Sequence, residues 1–159
     1  WLHARAEELG FDRQRIVVGG HSAGGHLTAM LMAALWPEVD PALPADLVKG
    51  GLAISGLYDL EPLVPLPFIN ADLRLDAAAA RRLSPVHLPA ATLAPLVTAV
   101  GALESGEFKR QTQLIRAAWP RNARADIEAG GANHLTVCDV LADPGSPLFA
   151  AALELVCGN

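Results

Sequence analysis

Two cysteines, Cys138 and Cys157, are all that the chain contains, too few for a disulfide framework, so reduced thiols and a cytoplasmic setting are expected. There is no cluster of Lys or Arg, and 12 basic residues stand against 17 acidic ones for a net charge of -5. That balance argues against a nucleic-acid or anionic-membrane partner and favours a small neutral or organic substrate. No apolar run is long enough to span a bilayer, and no signal peptide opens the sequence. The five histidines, His3, His21, His26, His87 and His134, form no His/Cys ligand pattern, so no metal and no other cofactor is expected. Repeats, low-complexity tracts and linkers are also missing. So is an initiator Met: the sequence starts at Trp1 in what reads as the second half of a helix, and an upstream part is expected to precede it. Nothing here decides between a single chain and a homodimer.

What is present suits one α/β domain over residues 1–159, with 52% hydrophobic and 18% charged residues. Trp1 to Leu9 has helical composition and Gly10 stands where a left-handed cap would sit. Arg15 to Gly19 reads as a buried parallel strand. Leu27, Met30, Leu31, Ala34 and Leu35 then recur at helical spacing from Ala23 to Leu35, before Pro37. Val48 to Ile54 is a second strand, followed by an irregular excursion rich in proline (Pro62, Pro65, Pro67). Leu96 to Val100 is a third strand, with a helix from Glu107 to Trp119 carrying Phe108, Gln111, Leu114, Ile115 and Ala118. Ala123 to Glu128 is a fourth strand, and Pro147 to Val156 a closing helix. Strands alternating with helices imply right-handed crossovers and a mainly parallel sheet with helices on both faces. In such sheets the site lies at the carboxyl ends of the strands.

The chemistry centres on Gly20-His21-Ser22-Ala23-Gly24, a G-x-S-x-G run between a strand and a helix. A serine on so sharp a turn needs small residues two positions to either side, so that strand and helix can approach without Cβ clashes. Ser22 is the expected nucleophile. Ala23, opening the helix, offers its backbone N–H and the positive end of the helix dipole to an oxyanion, which is half of an oxyanion hole. A serine hydroxyl needs an imidazole to take its proton. His134, in the loop after the last strand, suits that role, whereas His21 and His26 are too near Ser22 in sequence and are expected to pack or face solvent. A carboxylate must orient the imidazole and stabilise its charged form. Glu104, four residues past the third strand, fits; Asp59 is the rival, and Glu107 is the third choice, as a helix N-terminal charge.

Beyond the elbow, these segments resemble the arylformamidase (kynurenine formamidase) branch of the α/β hydrolases. The resemblance runs through Gly20 to Leu27, Ser55-Gly56-Leu57-Tyr58-Asp59-Leu60-Glu61-Pro62-Leu63, and the ordered Asn70, Leu73, Leu75 and Ser84-Pro85. It continues through Glu104-Ser105-Gly106-Glu107-Phe108-Lys109-Arg110-Gln111, where that family commonly has Asp in place of Glu104, and closes at His134. It implies the C-terminal part of an α/β-hydrolase fold, with the N-terminal strands and a His-Gly-Gly oxyanion loop lying upstream. It also implies hydrolysis of N-formyl-L-kynurenine to formate and L-kynurenine in tryptophan catabolism, with Ser22, Glu104 and His134 as triad and Tyr58 and Asn70 as candidate contacts for the amino-acid end of the substrate. The alternatives are a carboxylesterase acting on short-chain esters and a noncatalytic, hydrolase-like fragment; the 159-residue chain by itself is expected to be weakly active.

Overall fold

Three short runs dominated by small and apolar residues form the strands β1 (Val17–His21), β2 (Gly50–Ile54) and β3 (Leu96–Gly101), and a run in which charged residues alternate with small or apolar ones forms β4 (Ala123–Ala129). They make one parallel sheet in the order β1-β2-β3-β4. The computed structural model describes residues 1–158. The helices are α1 (Ala6–Leu9), α2 (Ala23–Ala33), α3 (Trp36–Val39), α4 (Pro67–Leu73), α5 (Ala77–Arg82), α6 (Gly106–Ala118) and α7 (Pro147–Cys157), with short 3-10 turns between them. No helix among these is long and apolar enough to cross a membrane.

Side chains alternate across the strands, so the sheet has two buried faces. One carries Ala53 and Leu96 against Ala29 and Met32 of α2 and Ile115 of α6, closed by Tyr58 and Trp119. The other carries Ile54, Ala99 and Ala129 against Leu148 of α7, with Ala132 and Val137. β3 is buried along its whole length, as a central parallel strand should be. Truncating a fully buried residue such as Ile115 to Ala costs about 2–5 kcal/mol.

Several local expectations are corrected. β1 begins at Val17 rather than Arg15, because Arg13–Arg15 forms a 3-10 turn capped by the Asp12 carboxylate, which accepts from Gln14 N–H. It also runs on through Gly19 and Gly20 to His21, held by a ladder to β2 that pairs His21 with Ile54. The proline-rich stretch is not wholly irregular, since it holds α4 and α5. Pro67 occupies the first helical position, where its missing N–H costs nothing, and Asp76 caps α5 through Ala79 N–H.

The buried face of α2 is also different from the one that the leucine spacing suggests. Gly25, Thr28, Ala29 and Met32 face the sheet, whereas Leu27 and Leu35 are exposed. The reason is close approach: a Cβ on Gly25 would lie 2.7 Å from Gly56 Cα. Only the smallest side chains fit beneath the first turn of this helix.

Candidate active site

Ser22 is the hinge between β1 and α2. Its φ of 58° and ψ of -115° are strained for a residue with a Cβ, and such strain persists only where the surroundings hold it. Two contacts do so: Ser22 N–H donates to Ile54 O at 2.9 Å, and His26 N–H donates to Ser22 O at 3.2 Å. The flanking glycines are not equivalent. A Cβ on Gly20 would sit 2.5 Å from the Gly24 backbone, whereas one on Gly24 would meet no atom within 4 Å among the described residues. The close approach thus depends on Gly20 and on Gly25, which the pentapeptide motif does not include.

Three loops at the carboxyl ends of the strands bring the predicted residues together. His134 Nε2 lies 3.1 Å from Ser22 Oγ, and His134 Nδ1 lies 2.8 Å from Glu104 Oε2. With Nδ1 protonated toward the carboxylate, Nε2 is left as the acceptor for the serine proton. The loop after β3 and the loop after β4 are joined directly: Ala102 N–H donates to Ala129 O and Leu103 N–H to Ala132 O, each at 2.9 Å. Gly101 permits this, because a Cβ there would lie 2.4 Å from Ala132 O. Past Gly131, which adopts a positive φ of 71°, the Asn133 carboxamide accepts from Leu135 N–H and Thr136 N–H and fixes the turn that carries His134.

The Glu104 side chain is fully buried, and that of His134 is 30% exposed. Burial alone pushes the Glu104 carboxyl up, but hydrogen bonds from Ser55, Gly101 and His134 together outweigh it and hold the carboxyl below the usual glutamate range. The anion is therefore the resident form at neutral pH. Ala23 opens α2, where the first N–H groups of a helix have no intrahelical acceptor; its N–H has none among the described residues.

Two rings clamp the imidazole. Phe108 stacks on His134 with centroids 4.2 Å apart and planes 26° from parallel. His21 lies 4.5 Å from it, tilted by 41°. His21 therefore stands at the site rather than in solvent. Burial, followed by the nearby His134, lowers its pKa, so it remains a neutral wall. His26 is used elsewhere, its Nε2 lying 2.8 Å from Leu83 O.

The rival acids are placed apart from the imidazole. Asp59 pairs with Arg110 at 3.1 Å and accepts from Glu61 N–H. Glu107 pairs with Arg110 at 2.8 Å and accepts from Gln111, and the guanidinium holds its carboxyl below the ordinary range. Gln111, almost fully buried, ties this region together. Its Oε1 accepts from Tyr58 N–H and Asp59 N–H, and its Nε2 donates to Asp59 O and Glu107.

Tyr58 and Asn70, the candidate substrate contacts, are corrected to structural positions. Tyr58 is completely buried against Gly56, where a Cβ would meet its hydroxyl; burial raises its pKa. The Asn70 carboxamide donates to Val64 O and Leu75 O and accepts from Leu75 N–H, so its polar atoms are consumed in closing a loop. No group of His, Cys, Asp and Glu able to hold a metal ion occurs among the described residues.

Sequence reasoning gave no role to Ser55, Phe108, His21 or Gly25. Ser55 and His21 border predicted strand ends, and Phe108 stands four residues past Glu104, but their contacts are made across the sheet and leave no local trace in the sequence.

A parallel sheet with helices on both faces and a serine on a strained strand-to-helix turn is the α/β-hydrolase fold. Solved structures share it: an acylaminoacyl peptidase matches 95% of this chain and 25% of its own with TM-score 0.65 at 20% identity. An esterase from Thermogutta terrifontis matches 99% and 58% with TM-score 0.60 at 22% identity. Among relatives, the chain is similar to kynurenine formamidases: that of Danio rerio is 26% identical over 144 residues, 86% of this chain and 48% of the relative. That of Salmo salar is 36% identical over 101 residues, 59% and 32%. The chain thus spans about half the length, or less, of the curated relatives it matches. A structure described as a candidate thioesterase from Silicibacter sp. is 35% identical, with TM-score 0.75 over 91% of this chain and 52% of that one. A family model described as BD-FAE matches residues 1–40.

Proposed function

We propose that the protein is a serine hydrolase that cleaves the formamide of N-formyl-L-kynurenine, a small-molecule substrate, to formate and L-kynurenine. The observation that carries the reaction class is the continuous relay from Ser22 Oγ through His134 to Glu104, at 3.1 and 2.8 Å. Support for the substrate comes from the likeness to kynurenine formamidases in two fishes.

In this reading His134 Nε2 removes the hydroxyl proton of Ser22 as the oxygen attacks the formyl carbon. The negative charge that develops on the formyl oxygen is met by Ala23 N–H and the helix dipole. Glu104 stabilises the imidazolium without itself taking the proton. The tetrahedral intermediate collapses by breaking its C–N bond, and His134 returns the proton to the aniline nitrogen, releasing L-kynurenine. Water then attacks the formyl ester on Ser22 and gives a proton to His134; the second intermediate breaks its bond to Ser22 Oγ, which takes that proton back from His134, and formate is released.

Cys138 is no competing nucleophile. Burial, reinforced by the charges of Asp139 and Glu104, pushes its thiol pKa up, away from the thiolate form.

A second reading, hydrolysis of an ester or thioester by the same triad, is favoured by the 35% identity to the candidate thioesterase. Turnover of N-formyl-L-kynurenine beside p-nitrophenyl acetate, by the full-length protein and its Ser22→Ala variant, separates the two. Serine-dependent preference for the formamide supports the first reading. Ester turnover alone moves the assignment to an esterase, and serine-independent turnover removes both.

A further inference from the structure

Ser22 and Ser55 occupy equivalent places at the ends of neighbouring strands. β1 and β2 run in register, with His21 opposite Ile54, so the next residue of each strand leaves the sheet at the same level. Both donate their N–H to the adjoining strand, Ser22 to Ile54 O at 2.9 Å and Ser55 to Ala99 O at 2.7 Å. Both then turn through positive φ, 58° and 48°. At Ser22 that strain presents a nucleophile. Ser55 is fully buried and takes no part in the reaction written above, yet it keeps a conformation in which glycine would be free of strain.

The hydroxyl accounts for this. Ser55 Oγ donates to Glu104 Oε1 at 2.5 Å and has no other partner among the described residues. Gly101 N–H donates to the same oxygen at 2.7 Å. Two donors thus hold Oε1, and Oε2 is left for His134 at 2.8 Å. A glutamate has one more side-chain torsion than an aspartate, so its carboxylate needs outside contacts to hold one orientation, and backbone N–H alone supplies only one.

We infer that Ser55 is a positioning residue, a fourth member of the relay that locks the Glu104 carboxylate so that Oε2 faces His134. The inference rests on the reading of Ser22 as nucleophile. It explains why a strained serine stands where glycine would fit, and it makes the ends of two adjacent strands serve one hydrogen-bonded chain, with one hydroxyl at each end. The titratable groups around the carboxylate are His134 and His21, with Cys138 beyond them on the segment after His134.

The test compares Ser55→Ala and Ser55→Gly with wild type and Ser22→Ala in the full-length protein, on p-nitrophenyl acetate. Both Ser55 variants should lose about 10- to 100-fold in kcat with KM little changed, the range expected when a catalytic group is misplaced by about 1 Å. The acid limb of kcat/KM should move to higher pH, because a carboxylate that loses a donor turns more of its charge toward His134 and favours the imidazolium, the form that cannot act as base. Ser55→Gly should melt no lower than Ser55→Ala, since it releases the left-handed strain. A Ser55→Gly protein with wild-type kcat and acid limb overturns the inference, as does failure of both variants to fold, which would make the residue purely structural. An active Ser22→Ala protein would instead defeat the proposed function itself. A dead Ser22→Ala beside an unaltered Ser55→Gly defeats the positioning role alone.

Discussion

Replacing Glu104 by Gln removes the charge at almost constant volume and isolates what the carboxylate does. Gly101 N–H and Ser55 Oγ both donate to Oε1. The backbone N–H cannot reverse its polarity, so the carboxamide oxygen must take that place. Its NH2 group then faces His134 Nδ1 across the 2.8 Å now spanned by a carboxylate bond. A donor there forces Nδ1 to accept, which puts the ring proton on Nε2, pointing at Ser22 Oγ 3.1 Å away. The base is lost although every atom stays in place. A triad held in the wrong tautomer loses about 10⁴ in kcat, equivalent to roughly 5.5 kcal/mol of transition-state stabilisation. The fold should lose much less, about 1–3 kcal/mol, for a charged hydrogen-bond acceptor replaced by a neutral one. The assay is turnover of p-nitrophenyl acetate and N-formyl-L-kynurenine beside a thermal melt, with Asp59→Asn as counterpart. Because Asp59 is engaged by Arg110, that variant should stay within about threefold of wild type, an effect of under 1 kcal/mol. A Glu104→Gln protein within tenfold of wild type, or an Asp59→Asn protein that is the more damaged, would refute the assignment of the acid.

Three further outcomes are expected. The Glu104 carboxyl is held below its ordinary value, so its contribution to stability is complete above the unfolded glutamate pKa of about 4.3 and is lost as pH falls through the lower folded value. Acid unfolding curves should therefore be shallower for Glu104→Gln, and identical curves would contradict this. Gly25→Ala should destabilise by about 1–3 kcal/mol, because its Cβ would meet Gly56 Cα at 2.7 Å, whereas Gly24→Ala, with open space around it, should change stability by about 0.5 kcal/mol or less in denaturant melts. Phe108→Ala removes one wall of the imidazole clamp and should lower kcat about tenfold with the melting temperature nearly kept, since Phe108 is not part of either core cluster; an unchanged kcat would show that His21 and Glu104 hold the ring alone.

Much of this architecture could be read from local sequence. Gly20 to Gly24 between an apolar run and a helical pattern marked the elbow, and the spacing of strand-like and helix-like segments implied a parallel sheet with its site at the carboxyl ends of the strands. These signals survive in a linear sequence because they depend on neighbours: the period of apolar residues and the tolerance of glycine for a tight turn. The order of serine, acid and histidine along the chain likewise pointed to the loops after β1, β3 and β4. Boundaries were less legible. β1 runs through two glycines because its ladder to β2 continues, and the inner face of α2 is small rather than leucine-rich because Gly25 must pass Gly56.

The tertiary structure alone decided which carboxylate meets the imidazole, since Glu104, Asp59 and Glu107 all lie near strand or helix ends and differ only in what stands opposite them. Arg110 takes two of the three, and Ser55, Gly101 and His134 converge on the third. It moved Tyr58 and Asn70 from the substrate to the scaffold, and it brought Ser55 and Phe108 to the relay. The pairings that make the relay join residues 30, 49 and 112 positions apart. A residue's chemistry is written in its own side chain, but its partner is set by how the sheet closes around it, and the sequence by itself determined the first and not the second.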